Sequence, residues 1–177
     1  AAMTDVLSNG RLELGLARGA YLYEYDRIIP GMDAMEAGMR MREIVPTLEK
    51  LWQGDYSHQG KYFQFPSSTS IPKPLQKNGP PIWIAARDPN SHEFAVTNNW
   101  HVQVTPLWKG LDEIIRLKNI FNDTCKKFPK NTNRLSMMLN HCYIGNNETE
   151  IEKGAIAVSK FYNNFGAWFK NSRKVVQ

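Results

Sequence analysis

The chain of 177 residues is 42% hydrophobic and carries 22 Lys and Arg against 17 Asp and Glu, a formal net charge of +5. That length suits one domain, residues 1–177, able to bury roughly two thirds of the surface its unfolded chain exposes. The basic residues are scattered instead of interleaved with aromatics, and no apolar run reaches the roughly 18 residues of a membrane span, so neither nucleic acid nor a bilayer is the expected partner and a cytoplasmic location is expected.

Residues 1–3 lead almost at once into a turn and strand, as expected of a chain that continues before residue 1, and Val175-Val176-Gln177 stops without a polar tail. Ser8-Asn9-Gly10 is a turn. After it Leu12, Leu14 and Leu16 alternate with Glu13, Gly15 and Ala17, the period of a strand with one bulky and one small face. Small residues let another strand or a flat ligand approach the backbone closely. Arg18-Gly19 closes this strand.

Residues 34–52 place Met41, Ile44, Val45, Leu48, Leu51 and Trp52 at helical spacing, with Pro46 expected to disturb the helix. Residues 54–65, with Tyr56, His58, Gly60, Tyr62, Phe63 and Phe65, suit a short hairpin, and Pro72-Lys73-Pro74 connects it to Pro80-Pro81. The apolar run 82–86 predicts a strand buried on both faces of a parallel sheet. Asp88-Pro89 reads as a helix cap with proline at the first helical position.

A helix over 90–98, a strand over 101–105, a helix over 111–128, a strand over 135–144 and a helix from 148 to about 165 complete the row. This alternation implies right-handed βαβ units and a parallel sheet, an α/β fold. Four such units make half of an eight-fold barrel or most of a small doubly wound sheet, and periodicity does not choose between them. A doubly wound nucleotide-binding domain would want a glycine-rich fingerprint, and Gly15, Gly19 and Gly31 stand too far apart for one.

Cys125 and Cys142 show no metal or disulfide spacing and are expected to be buried reduced thiols. His58, His92, His101 and His141 form no pair at ligand spacing, so no metal site is expected. Trp100, Trp108 and the cluster Phe161, Tyr162, Phe165, Trp168 and Phe169 fit core packing first and an apolar substrate cavity second.

The blocks LSNGRLELGLARG, PGMD, a helix ending LEKLWQG, HQGKYFQFP and PKPLQKNGPPIWIAARDPNS, in that order and spacing, resemble the luciferase-like flavin monooxygenases, closely over residues 7–106 and more loosely beyond. The resemblance implies an α/β fold that is a partial (β/α)8 TIM barrel, roughly its fourth to seventh strands with a hairpin insertion. It implies reduced FMN, or a deazaflavin in some relatives, bound at the C-terminal ends of the strands. It further implies O2 and a small organic substrate such as an aldehyde or alkane, a flavin reductase supplying the reduced flavin, and a homodimer or a heterodimer of related barrels. Two other readings stay open within the fold: a deazaflavin-dependent dehydrogenase, and a catalytically silent flavin-binding subunit.

Residue by residue, Arg18 stands where the family carries an arginine that meets the flavin phosphate, and a guanidinium fork suits that task. Ala17 takes a position near the isoalloxazine, and Gly19 and Ala20 would let the backbone pass the ligand. Tyr21 and Tyr23 are expected to border the pocket. Ala86, Arg87, Asp88 and Ser91 match the turn that binds phosphate at a helix N-terminus. Asp88 departs from the serine of some relatives, since its carboxylate would repel phosphate while capping the helix well; Arg87 could offset that charge. A further family arginine, on the helix after PGMD, has no clean counterpart: the gapless match is Gly38, with Arg40 two residues later. The histidine that assists oxygen chemistry in luciferases lies on an early strand outside this chain, so no catalytic acid or base is assigned.

Overall fold

The computed structural model describes residues 1–107, 109–130 and 134–172, with all side chains of these except those of 22, 23 and 168–172. Trp108 and Val175 to Gln177 lie outside the described residues, as do the side chains of Tyr23, Trp168 and Phe169.

A short helix, α1 (Ala2–Leu7), precedes the Ser8–Gly10 turn, where the sequence predicts no element. Its cause is distant in sequence: Asp5 is fully buried, and its carboxylate accepts from the Gln76 backbone N–H at 2.9 Å and from Gln76 Nε2 at 2.8 Å. Strand β1 (Leu14–Leu16) follows, then a helix the sequence reading misses, α2 (Leu22–Ile28), and the long α3 (Ala34–Gln53). Asp33 of the PGMD block caps α3 by accepting from the backbone N–H groups of Met35 and Glu36. Pro46 sits inside α3 without ending it.

The hairpin β2 (Tyr56–Gln59) and β3 (Gln64–Ser68) pairs antiparallel and is tied to α3 through Glu43. Glu43 accepts from the Phe63 N–H at 2.8 Å, from the Tyr62 N–H at 3.0 Å and from His58 Nε2 at 3.2 Å. The remaining elements are β4 (Ile82–Ala85), α4 (Pro89–Thr97), β5 (His101–Val104), α5 (Gly110–Lys127), β6 (Ser136–Met138) and α6 (Glu148–Ser172).

The main sheet has the order β1-β4-β5-β6, parallel throughout. Its strands lie side by side in chain order without the reversal that defines a doubly wound sheet. That settles the choice periodicity leaves open: the α/β architecture is a section of a (β/α)8 barrel with a hairpin insertion. Ile82, Ile84, Ala86, Val102 and Val104 point to the helix layer and are buried with Trp100, Leu117, Val45 and Trp52. Trp100 is therefore core, as the first of its two readings has it.

Four expectations need correction. The run 82–86 is buried on one face only: Trp83 is half-buried and Ala85 exposed, because their side faces the concave interior that four strands do not enclose. The strand predicted over 135–144 stops at Met138; Leu139 donates its N–H to Val104 O at 2.9 Å, after which Tyr143 and Ile144 are exposed. Cys142, in that unpaired stretch, is exposed instead of buried, while Cys125 is half-buried. The last helix runs on to Ser172, beyond the predicted end. No helix among the described residues is long and apolar enough to cross a membrane.

Candidate active site at the strand ends

The C-terminal ends of β1, β4, β5 and β6 border a cavity of about 830 Å³. Its floor is made by small residues on the concave face. Ala17 and Ala85 line it, and Gly15 below lets the Gln103 carboxamide lie across the sheet: a Cβ at residue 15 would stand 3.2 Å from Gln103 Nε2. One layer deeper, the Trp83 and His101 rings are 4.6 Å apart, and burial holds the His101 imidazole below its usual pKa against the opposing pull of Glu13. Met41, Met137 and Met138 add an apolar wall.

At one end of the cavity α4 begins. Asp88 is its N-cap, with Oδ1 accepting the Ser91 N–H at 3.0 Å and Oδ2 accepting the Ser91 hydroxyl at 2.7 Å. Burial pushes the Asp88 pKa up, but the bonds from Ser91 and the charge of Arg42 outweigh it and leave the carboxyl more acidic than usual. His92, the next residue, is fully buried, and burial lowers its pKa. Its Nδ1 lies 3.0 Å from the Asp88 carbonyl, which can only accept, so Nδ1 carries the proton of a neutral ring.

Two arginines converge on this end from the α3 side. Arg18 Nη1 donates to Ala34 O at 3.0 Å, and Arg42 lies over the Phe94 ring at 5.6 Å. Gly38 makes room for both: a Cβ there would stand 3.2 Å from Arg42 Nη1 and 3.7 Å from Arg18 Cδ. The third arginine, Arg87, turns toward α5. Its Nη2 donates to Glu113 Oε1 at 2.7 Å, and Arg116 grips the same carboxylate through Nε and Nη2, both at 2.8 Å. Hydrogen bonds from Arg116 and then Arg87 bring the Glu113 pKa down to about 2. The cavity wall carries Arg18, Arg42 and Arg87 together with Glu24 and Asp88.

The chain's likeness to known proteins agrees with this geometry. The profile of the luciferase-like monooxygenases matches residues 1–176. The chain belongs to that family. Over all 177 residues it is 54% identical to the flavin-dependent trigonelline monooxygenase, oxygenase component, of Acinetobacter baylyi, covering 49% of that protein. Over 95 residues, 53% of the chain and 28% of the relative, it is 30% identical to an F420-dependent glucose-6-phosphate dehydrogenase of Microbacterium testaceum. Among solved structures, monooxygenase RslO1 from Streptomyces bottropensis superposes with a TM-score of 0.79 at 26% identity, over 95% of this chain and 51% of that one. The chain thus spans about half the length of the curated relative it matches end to end.

In this luciferase-like chain the structure brings Ala17, Arg18, Gly19, Ala20, Ala86, Arg87, Asp88 and Ser91 to one cavity, with Tyr21 at its rim. The sequence reading misses Arg42. It lies one helical turn beyond Gly38, on the face that Gly38 and Met41 share, so the spacing of four from the gapless match was the available signal. Arg40, the nearer arginine in sequence, points elsewhere: it pairs with Glu36 at 2.8 Å and lies over the Tyr62 ring. The luciferase-like cavity fits a flavin mononucleotide in its parts. It offers a flat floor of small residues for a tricyclic ring, and a guanidinium pair beside the start of α4 for a phosphate.

Proposed function

We propose that this chain carries the phosphate side of the flavin site of a monooxygenase that uses reduced FMN and O2 to oxidise a small organic substrate. The observation that carries the reading is the convergence of Arg18 and Arg42 on the start of α4, at the strand ends and beside a small-residue floor. Bound reduced flavin would supply the electrons that activate oxygen. The chain's own residues would do the rest. Arg18 and Arg42 would hold the phosphate beside the start of α4, and Ala17 and Ala85 would seat the ring. Met41, Met137 and Met138 would exclude water from its face.

The relative's name, an oxygenase component acting on trigonelline, supports a separate reductase as the source of reduced flavin. It also favours an N-methylated pyridine carboxylate as substrate over the aldehyde or alkane that the family resemblance implies. The dehydrogenase relative keeps a deazaflavin-dependent hydride transfer as a second reading. Arg18 and Ser91 in the cavity weigh against a silent subunit.

Titration of the protein with reduced FMN tests the site. Arg18→Ala should weaken binding by about 1.5–3 kcal/mol, the range for a charge-assisted hydrogen bond. An unchanged dissociation constant would remove Arg18 from the site. Consumption of O2 with reduced FMN, in place of hydride transfer to a deazaflavin, separates the two chemistries.

A further inference from the structure

Gln103 brings a carboxamide to the floor of the cavity at the strand ends, among neighbours that offer it nothing to bind. Its register partners on the flanking strands are Ala85 of β4 and Met137 of β6. Across from it stands Gly15, where a Cβ would lie 3.2 Å from Nε2, 3.4 Å from Oε1 and 3.7 Å from Cδ, so the amide rests flat over that glycine. The rings one layer deeper are turned to partners of their own. Trp83 Nε1 donates to Glu13 Oε2 at 2.5 Å, and His101 Nδ1 accepts the Leu135 N–H at 3.1 Å. Among the described residues the half-buried Gln103 carboxamide makes no hydrogen bond.

A flat ring seated on the same floor, over Ala17 and Ala85, meets this amide edge to edge, because carboxamide hydrogen bonds run in the amide plane. The edge then has to match. An amide offers a donor and an acceptor side by side, and the cyclic imide of a flavin, an N3–H between two carbonyls, offers the complement in either redox state. The dimethylbenzene edge offers neither, and would cover both amide atoms without pairing them. We propose that Gln103 orients the flavin ring, with Oε1 accepting from N3–H and Nε2 donating to a flanking carbonyl. The pyrimidine half of the ring then lies at Gly15 and Gln103, and the dimethylbenzene half is turned away from the amide. The inference rests on this cavity being the flavin site. Deazaflavins carry the same imide, so it holds under both cofactor readings.

Equilibrium titration of the full-length protein with FMN and with 3-methyl-FMN, in which a methyl group replaces the N3 proton, reads the contact without turnover. The wild type should bind FMN at least about tenfold tighter than the methylated flavin. Gln103→Leu and Gln103→Met keep most of the bulk and remove both amide atoms. Each should bring the two flavins within about twofold, with the loss falling on FMN. In FMN labelled with 15N at N3 and bound to the wild type, the N3 proton should move downfield of its position in free FMN and exchange slowly with water.

A preference for FMN that persists undiminished in a folded Gln103 variant overturns the assignment, since another group then reads the edge. So does a wild-type protein in which the bound N3 proton exchanges as fast as in free FMN, a result that needs no variant to fold. Wild-type protein that melts cooperatively yet binds neither flavin brings down the flavin reading and this contact with it. Binding of both flavins without discrimination brings down the contact alone.

Discussion

Asp88 holds Ser91 at two points, Oδ1 on the backbone N–H at 3.0 Å and Oδ2 on the hydroxyl at 2.7 Å. The carboxylate therefore occupies the hydroxyl that the proposed phosphate would want, and places a negative charge at the start of α4. Asp88→Asn keeps an acceptor for the cap and removes the charge. It should tighten FMN binding by about threefold to tenfold at low salt, an advantage that fades as salt screens it. Asp88→Ala should lower stability by about 1 kcal/mol through loss of the cap. Titrations at two ionic strengths, with thermal melts, check both.

Arg42 and Arg40 provide a contrast on one helix. Arg42→Ala should weaken FMN binding by about tenfold or more and leave riboflavin, which lacks the phosphate, nearly unaffected. Arg40→Ala, which removes only a pair with Glu36 and a contact with Tyr62, should leave FMN affinity within about twofold. Comparing both flavins on both variants decides it, and equal losses from the two substitutions would refute the assignment.

Glu113 carries a pH signature. Its folded pKa of about 2 lies below the ordinary 4.5, so the carboxylate contributes stability that is complete above about pH 4.5 and lost as pH falls toward 2. Glu113→Gln should flatten that part of the stability profile and cost about 1–2 kcal/mol at neutral pH. The figure is modest because Arg87 and Arg116 are 36% and 47% exposed. Melting temperatures of both proteins between pH 2 and pH 7 provide the comparison.

Gly19 and Gly31 separate strain from contact. Both have positive φ, +91° and +80°, but a Cβ at residue 19 would stand 2.7 Å from Tyr25 Cε1, whereas one at residue 31 meets nothing within 4 Å. Gly31→Ala should cost about 1 kcal/mol from backbone conformation alone. Gly19→Ala should cost about 2–3 kcal/mol, since Tyr25 is buried and must shift. Equal losses in denaturant unfolding would show that Tyr25 yields freely.

Much of the architecture was legible because it is written locally. Apolar spacing along α3 and α5, the Asp88-Pro89 cap and the alternation of strand and helix each lie within a few residues of what they specify. What escaped the reading depends on distant partners. α1 exists through Asp5 and Gln76, which are 71 residues apart. β6 stops at Met138, and among the described residues no strand pairs with residues 140–144; an apolar run cannot announce its own lack of a neighbour. α2, with only seven residues, is too short to show a helical period.

The site followed the same rule. Residues next to the strand ends, from Ala17 to Ala20 and from Ala86 to Ser91, could be placed from sequence order. Arg42 reaches the same cavity from the middle of a helix, past a glycine whose role is to be small. The barrel-interior Gln103 carried no sequence signal at all, since an amide within an apolar strand has meaning only once Gly15 is known to lie opposite.

Arg116 does more than share Glu113, because its Nη2 also donates to the Arg87 carbonyl at 3.2 Å. The turn from β4 into α4 is thereby fastened to α5 twice, once through a side chain and once through the backbone. Such a turn is preorganised: a ligand seated on it surrenders little protein entropy on binding, and loosening α5 would be felt at the start of α4 without any change in the residues that touch the ligand.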